Sequence, residues 1–222
     1  MRRSLSELDA RRLLVPGPVC LVTTTWKGSD NVAPVAWSMP LSVSPPLVGI
    51  AVHPARHTHD MIRFSEEFAI NIPGPRLLNH VQYFGSVSGR DLDKLDLSKL
   101  PTFRARKVDA PLLEHCVAYI ECGLEDAYAI GDHTLFVGRV VAVAAEKEAF
   151  DEAWLLEDPD LRPLHYLGGA WYAALERRLE AQPPLTEEGA LDVATLEEMT
   201  REQDERAAEE RGERERRGEE PD

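Results

Sequence analysis

The sequence predicts a mainly β protein: a small antiparallel β-barrel with a few short peripheral helices and a charged C-terminal tail that is helical or disordered. Between residues 17 and 145, short runs of β-branched and apolar residues are separated by proline and glycine, as in strands joined by turns. Strands and helices do not alternate regularly, which disfavours a doubly wound parallel sheet.

The individual elements follow from the same pattern of apolar runs and turn residues. The predicted strands are Gly17 to Thr25, Asn31 to Met39, Leu47 to His53, Phe68 to Ile72, Cys116 to Cys122, Ala127 to Ile130 and His133 to Ala145. The last strand is long enough to bend around a barrel. The predicted helices are one that Thr58 caps and that runs to about Phe64, and others at Gly74 to Phe84, Phe150 to Leu155 and Gly169 to Leu179.

The charge of the chain is concentrated near its C-terminus. Of the 222 residues, those from 176 onward hold 17 acidic and 8 basic side chains, a net charge of −9, against −5 for the preceding part and −14 in total. The low-complexity segment Glu202 to Asp222 has too few apolar residues to fold alone. We therefore predict a folded domain over 1–180 and an acidic tail over 181–222. The tail is either an interaction element or a solubilising extension, and charge runs favour the second.

Composition also excludes several classes of protein. A negative overall field repels phosphates, which argues against a nucleic-acid partner. The longest apolar runs, such as Val140 to Ala145, fall far short of the ~20 residues of a membrane span. The N-terminus has no apolar segment after its arginines, so no secretory signal is expected. The three cysteines (Cys20, Cys116 and Cys122) are predicted to be buried free thiols of a cytoplasmic protein.

Familiar cofactor fingerprints are absent from the sequence. No GxGxxG follows a predicted strand, and neither GxxxxGK[ST] nor HExxH occurs. The sequence therefore supports neither a Rossmann dinucleotide site nor a P-loop, nor a zinc-protease helix.

The stretch Val52 to His59 is the first candidate for chemistry. It joins a strand to a helix N-terminus, where free N–H groups and the helix dipole suit a phosphate, and Arg56 adds a guanidinium fork. His53, His57 and His59 also allow a divalent-metal site, although Pro54 breaks the regular spacing. A third interpretation is a capped helix with surface histidines.

Four further segments carry weaker signals. Prolines place Asn31 to Pro46 at a sheet edge and leave backbone groups available to a ligand. Gly85 to Lys94 combines small residues with donors for an anion, and Gly131-Asp132-His133 is a tight turn that delivers a histidine. In Tyr166 to Tyr172, two glycines would let the backbone pack flat against something planar.

Taken in order, these segments resemble the flavin reductase-like family, and especially its flavoredoxin-like branch with an FMN-binding split β-barrel of Greek-key-like topology. The resemblance spans about Pro16 to Tyr172. Its carriers are Asn31-Val-Ala-Pro with Ser38 and Ser44-Pro45-Pro46, Arg56-His57-Thr58, Asn71-Ile72-Pro73, Ser88-Gly89-Arg90-Asp91-x-Asp93-Lys94, Gly131-Asp132-His133 with Gly138-Arg139-Val140, and Leu164-His165-Tyr166-Leu167-Gly168-Gly169.

The resemblance implies a homodimer with one FMN per subunit near the interface, and it assigns roles to particular positions. Arg56, Thr58 and, between them, His57 would lie at the phosphate. Around the flavin ring, the resemblance implies Trp37, Ser38, Met39 and Ser44, with Asn71 near the ribityl chain or the ring edge. Near the phosphate or the bound nicotinamide, it implies Ser88, Arg90 and Lys94, and His133 would orient the nicotinamide at the open face of the ring.

The function that this resemblance implies is hydride transfer from NADH or NADPH to flavin N5, with electrons passing on to an acceptor protein or a partner monooxygenase. Such chemistry belongs to the cofactor and needs no general base from the protein. The alternative is a non-enzymatic FMN electron carrier that docks a protein through its acidic tail.

Overall fold

The computed structural model describes residues 3–186 and 188–217. The chain forms two compact units, one ending at Arg177 and the other beginning at Arg178. The first unit contains every strand and the short helices, and the second contains the long helix. None of the helices in these described ranges is both long and apolar enough to cross a membrane.

Twelve strands and five α-helices make up these residues. The strands are β1 (Gly17–Pro18), β2 (Cys20–Trp26), β3 (Ser29–Val35), β4 (Ser38–Ser42), β5 (Leu47–Val52), β6 (Glu67–Pro73), β7 (Thr102–Phe103), β8 (Leu112–Leu113), β9 (Cys116–Ile130), β10 (His133–Ala145), β11 (Leu164–Gly168) and β12 (Trp171–Ala174). The helices are α1 (Ala10–Leu13), α2 (His57–Ser65), α3 (Leu78–Ser86), α4 (Lys94–Ser98) and α5 (Val193–Arg217), with 3-10 turns at Glu7–Asp9, Pro75–Leu77 and Pro159–Leu161.

Seven antiparallel strands form the main sheet in the order β3-β2-β6-β9-β10-β5-β4. Only Ala36 and Trp37 separate β3 from β4, although these strands lie at opposite ends of that order. The sheet must therefore curl until its ends meet at this short connection. The amide of Ala51 in β5 donates to the carbonyl of Trp37 at 2.9 Å, which extends the β4–β5 pairing into the connection. The predicted antiparallel barrel is confirmed, and so is the position of the proline-containing strands at its edges.

Two apolar clusters lie on opposite faces of this sheet. Ile50, Phe68 and Phe136 are buried among the side chains inside the barrel. On the other face, Val81 and Phe84 of α3 pack over the sheet. The interior of the barrel is thus filled by side chains, and α3 covers part of the other face of the sheet.

The second unit is dominated by α5, which runs to Arg217. Asp192 begins the helix, because its carboxylate accepts from the amide of Thr195 at 3.2 Å and from its hydroxyl at 2.8 Å. Of the two predicted forms for the tail, the structure shows the helical one over Val193–Arg217. The last residues of the predicted tail lie outside the described ranges.

Two of the predicted helices are wrong. Phe150 to Leu155 is an irregular bend in which Phe150 and Trp154 form an isolated bridge and an edge-to-face ring contact. In place of a helix from Gly169, β12 pairs antiparallel with β11. The apolar spacing in both segments fits a helix, but pairing with a neighbouring segment satisfies the same backbone groups and decides the structure.

Candidate functional site

The N-terminus of α2 lies just beyond the end of β5. Arg56 precedes the helix in an extended conformation, and no side chain of the described residues caps this end. The prediction that Thr58 is the cap is wrong: Thr58 lies within the first turn and is buried, and its hydroxyl accepts from Asn31 Nδ2 at 2.9 Å. The positive end of the helix dipole is therefore left without a side-chain acceptor, which favours a bound anion.

A cluster of basic side chains surrounds this helix end, and we call Arg56, His57, Arg90 and Lys94 the basic cluster. Burial of Lys94 lowers its pKa to about 8, and the neighbouring charge of Arg56 adds to the effect. Burial also lowers the pKa of His57, and repulsion from Arg90 and Lys94 contributes in the same direction. These causes show that the four groups share one electrostatic environment. A phosphate placed among them would relieve that repulsion.

Lys94 is buried at the start of α4, where its ammonium donates to the carbonyl of Phe84 at 3.0 Å. The side chain of Asp93 caps α4 by accepting from the amide of Asp96 at 2.9 Å. Since Phe84 lies in α3, Lys94 connects the two helices while it contributes a charge to the basic cluster.

The loop before α4 approaches Asn31 closely. A Cβ on Gly89 would collide with Asn31 Oδ1, so a larger residue there would displace the Asn31 side chain. Asn31 Oδ1 and His57 Nδ1 are both buried, and neither has a hydrogen-bond partner among residues 3–186 and 188–217. Unsatisfied buried polar atoms are rare in native proteins and call for an explanation. Together with the basic donors beside them, they fit a site that a polar, phosphate-bearing cofactor completes.

Arg90 is held by Asp60, with 2.7 Å between guanidinium and carboxylate. The Arg90 hydrogen bond lowers the pKa of Asp60. Both side chains are partly exposed, and exposed ion pairs contribute little to stability. Arg90 can therefore exchange this carboxylate for a bound phosphate at low cost.

A second group of site residues lies where β4, β5 and β10 meet, and we call Trp37, His53 and His133 the aromatic patch. The rings of Trp37 and His133 lie 4.6 Å apart between centroids, and His53 meets His133 edge to face at 5.3 Å. His133 Nδ1 lies 2.6 Å from the carboxylate of Asp132, and this hydrogen bond lowers the pKa of Asp132. The hydrogen bond orients the imidazole and directs its Nε2 away from Asp132.

The three histidines considered as metal ligands, His53, His57 and His59, each belong to a different set of contacts. His53 belongs to the aromatic patch and His57 to the basic cluster. His59 is buried, with Nε2 2.9 Å from the hydroxyl of Thr134 and its ring against Phe136. Across residues 3–186 and 188–217, no three His, Cys, Asp or Glu side chains come together as a metal site would require. The structure gives the metal interpretation no support.

The remaining predicted site residues are spread over β4, its turn and the core. Ser38 lies at the start of β4, with its hydroxyl 3.5 Å from Cys20 Sγ, and Met39 is exposed on the same strand. Ser44 lies in the exposed turn that follows β4, and Ser88 begins the tight turn before α4.

Asn71 requires a correction. Its amide is completely buried, donates to the carbonyl of Leu21 at 3.0 Å and to the hydroxyl of Thr23 at 3.1 Å, and accepts from the amide of Leu113 at 2.9 Å. These bonds fix three segments of the core. Asn71 is therefore removed from the candidate cofactor site, because its polar atoms are already used within the protein.

Sequence reasoning assigns no roles to Asp60, Asp132 or Gly89. Each of the three is adjacent in sequence to a residue that was selected from the sequence as a candidate. Their own contacts, however, are visible only in the folded chain. Asn31 is recognisable as part of a proline-rich edge, but its contact with Thr58 joins segments 27 residues apart, which no local pattern reveals.

Comparison of sequences places the chain among known proteins. The sequence model of the family described as "Flavin reductase like domain" matches residues 11–173. The uncharacterized protein YddH of Escherichia coli strain K12 is 38% identical over 178 residues, which cover 78% of this chain and 94% of that protein. An NADH-dependent FAD reductase of Streptomyces globisporus is 29% identical over 136 residues, 60% of this chain and 74% of the other.

Comparison of structures agrees. The crystal structure of an FMN-binding protein from Thermus thermophilus with bound p-hydroxybenzaldehyde has a TM-score of 0.70 at 30% identity, covering 82% of this chain and 99% of that one. Flavoredoxin of Desulfovibrio vulgaris (Miyazaki F) has a TM-score of 0.71 at 26% identity, covering 82% and 97%. The chain has the mainly β fold of these two proteins and belongs to the flavin reductase-like family.

Proposed function

We propose that this protein binds FMN and transfers hydride to it from NADH or NADPH. The observation that carries the proposal is the basic cluster at the uncapped N-terminus of α2, beside two buried polar atoms that no described residue satisfies. The family and its FMN-binding structural neighbours support the same cofactor. When bound, FMN supplies the redox chemistry, accepting a hydride at N5 and passing the electrons on.

The basic cluster would hold the FMN phosphate. Arg56 and Arg90 offer guanidinium donors, Lys94 offers a partly desolvated ammonium, and the first N–H groups of α2 add their dipole. His57 lies among them. The hydroxyl of Thr58 accepts a hydrogen bond from Asn31 and so holds that side chain beside the cluster. Ser88 shapes the adjoining turn by accepting from the amide of Arg90 at 3.2 Å.

The flavin ring would lie along the junction of β3 and β4. Trp37, Ser38 and Met39 follow one another there, and Ser44 lies beyond them in the turn after β4. β4 is an edge strand, so the backbone groups on its open side can donate to and accept from the polar edge of the ring.

His133 would orient the nicotinamide. Asp132 fixes the imidazole through Nδ1, so that Nε2 is available to a carboxamide. Holding the donor ring at near-attack distance is the main requirement of hydride transfer, and His133 would act by position, without abstracting a proton.

The proposal also includes a homodimer, an acceptor for the electrons and a cellular compartment. Met39, Leu41, Tyr128 and Ile130 are exposed apolar side chains of β4 and β9, which would be covered in a homodimer. Electron-acceptor proteins or a monooxygenase would receive the reducing equivalents. The buried free cysteines suit a reducing compartment, the cytoplasm.

A non-enzymatic electron carrier is the second candidate. The similarity to a flavoredoxin favours it, and the charged, exposed surface of α5 would serve to dock a partner. This function needs the same FMN site but no productive nicotinamide contact.

Anaerobic reduction of the purified protein distinguishes these functions. We expect a flavin spectrum that NADH or NADPH bleaches rapidly. His133→Asn should slow the bleaching at least about tenfold by loss of orientation, while the spectrum before reduction stays unchanged. His115→Asn is the matched control, because His115 is exposed in a turn with φ of 68°, which asparagine tolerates.

A flavin spectrum that neither nucleotide bleaches would favour the electron carrier. A colourless protein that does not bind added FMN would refute both candidates. Equal bleaching rates for the His133 variant and the wild type would remove the role assigned to that histidine.

A further inference from the structure

His53 lies between the basic cluster and His133, and the proposed function gives it no role. It directly follows β5, and β5 pairs with β10 so that Val52 lies opposite Thr134. The next residue outward on each strand is a histidine, His53 on one and His133 on the other, and their imidazoles meet. Three residues after His53, Arg56 precedes the first turn of α2 and belongs to the basic cluster.

Residues 53–56 form a tight turn in which the side chain of His53 takes part. The amide of Arg56 donates to the carbonyl of His53 at 2.9 Å, and Pro54 occupies the second position, where its fixed φ suits such a turn. The amide of Ala55 donates to Nδ1 of His53 at 3.0 Å. An asparagine side chain accepts the same bond in an Asx turn. His53 therefore helps to set the direction in which the chain delivers Arg56 to the basic cluster.

The ring of His53 also restricts the ring of His133. The two rings meet edge to face, with 5.3 Å between centroids and 85° between planes, while Trp37 lies against His133 at 4.6 Å. Asp132 holds Nδ1 of His133, but its side chain is 81% exposed, so water competes for that hydrogen bond. A single exposed bond leaves the imidazole free to tilt. The contacts with Trp37 and His53 remove that freedom and so define the direction of Nε2.

One tautomer of His53 serves both contacts. Since Nδ1 accepts the amide proton of Ala55, the proton of the neutral imidazole is on Nε2. The turn thus fixes the ring plane of His53, and the same ring meets His133. A displaced turn would move this ring against His133, whereas loss of the ring alone would leave the turn in place and His133 less restrained.

From these contacts we infer that His53 is a positioning residue that links the basic cluster to His133. Its Nδ1 shapes the turn that presents Arg56, and its ring orients His133. The ligands of those two residues, a flavin phosphate and a nicotinamide, rest on the proposed function. The contacts of His53 do not, so they can also be tested in the flavin-free protein.

Two substitutions separate the two contacts of His53. His53→Asn keeps an acceptor for the amide of Ala55, because asparagine forms the same kind of turn, but it removes the ring. His53→Phe keeps an aromatic ring but has no acceptor. Thermal melts of both variants check that they fold.

FMN binding and nucleotide kinetics should respond to different variants. His53→Asn should bind FMN within about twofold of the wild type, while kcat/KM for NADH or NADPH falls about two- to tenfold through loss of the edge-to-face contact. His53→Phe should bind FMN about two- to tenfold more weakly through loss of one hydrogen bond, with kcat/KM at saturating FMN within about twofold of the wild type. Quenching of flavin fluorescence measures FMN binding.

NMR relaxation of ¹³C-histidine-labelled, flavin-free protein measures the mobility of the His133 ring without any turnover. The Cε1 resonance of His133 is identified by its absence in His133→Asn. His53→Asn should increase the mobility of this ring, and His53→Phe should leave it unchanged. His115→Asn, which changes an exposed histidine in a turn, is the matched control and should equal the wild type in all three measurements.

Each half of the inference has a result that would overturn it. Unchanged His133 mobility or unchanged kcat/KM in His53→Asn would exclude the role of the ring. Wild-type FMN binding in His53→Phe would exclude the role of the turn, and equal losses of both properties in both variants would show a general structural role instead. A protein that binds no FMN, or whose flavin neither nucleotide reduces, would refute the proposed function. Greater His133 mobility in His53→Asn than in His53→Phe would even then support His53 as its positioning residue.

Discussion

The pH dependence of FMN binding offers a direct test of the basic cluster through Lys94. Burial lowers the pKa of Lys94 to about 8, so in the free protein this ammonium begins to lose its proton within the range accessible to binding assays. A bound phosphate dianion favours the protonated form and raises that pKa again. Above pH 8, FMN binding must therefore take up a proton, and the affinity should fall as pH rises.

The size of the effect follows from the same value. With a pKa of about 8, roughly nine tenths of Lys94 is charged at pH 7 and roughly one tenth at pH 9. The dissociation constant should therefore rise about tenfold between these two pH values. The second pKa of a phosphate monoester is about 6, so the ligand remains a dianion throughout this range.

Quenching of flavin fluorescence measures this dissociation constant from pH 6.5 to 9.5. Lys94→Met should bind FMN at least about tenfold more weakly at pH 7 and lose the inflection near pH 8. Lys99→Met, which changes an exposed lysine of the same segment paired with Asp96, should behave as the wild type. Riboflavin lacks the phosphate and should show no such pH dependence. A wild-type affinity that is constant from pH 7 to 9, or an unchanged inflection in Lys94→Met, would refute the reasoning.

Three further predictions concern the core, the ion pair and the thiols. A Cβ on Gly138 would lie 2.5 Å from the ring of Phe68, so Gly138→Ala should lower the free energy of unfolding in urea by about 1–3 kcal/mol. Gly123→Ala, on the neighbouring strand with open space around it, should change stability by less than about 1 kcal/mol, and equal losses would contradict the packing argument. Asp60→Asn removes a negative charge beside the basic cluster and frees Arg90, so FMN should bind about two- to fivefold more tightly at low salt, with a smaller gain at 0.3 M salt; an unchanged or weaker affinity at low salt would exclude this account. All three cysteines are buried and burial raises their pKa, so an aromatic disulfide reagent at pH 8 should label none in the native protein and three after denaturation; rapid native labelling would contradict the described core.

The sequence is most informative about the barrel. Strands such as β5 and β10 are continuous apolar and β-branched runs with clear turn signals at their ends, and such local signals survive in the fold. The segment that forms β12 is misleading because its apolar spacing equally fits a helix. Its strand conformation depends on pairing with β11, which local spacing does not encode.

The candidate site is predictable only in part, for a related reason. Arg56, Lys94 and His133 lie in recognisable segments. The structure places Arg56 at the N-terminus of α2, Lys94 at the start of α4 and His133 at the start of β10. Asn71 lies in an equally recognisable segment, yet its amide joins β2 to the segment containing Leu113. A sequence motif marks a position that matters without revealing whether its polar atoms face the cofactor or the core.

Strand β6 has a consequence for how this chain folds. Its partners, β2 and β9, are both about 50 residues away in sequence, for example Leu21 and Tyr119 opposite Asn71. The pairs β2–β3, β4–β5 and β9–β10 are local and can form on their own within about 1–10 μs, whereas closing two long loops onto β6 is slower. Docking of β6 is therefore the step that joins the β2–β3 hairpin to the β9–β10 hairpin, while the β4–β5 hairpin joins the sheet through the pairing of β5 with β10. Flavin capture during refolding should lag behind hairpin formation and coincide with protection of the β6 amides from hydrogen exchange.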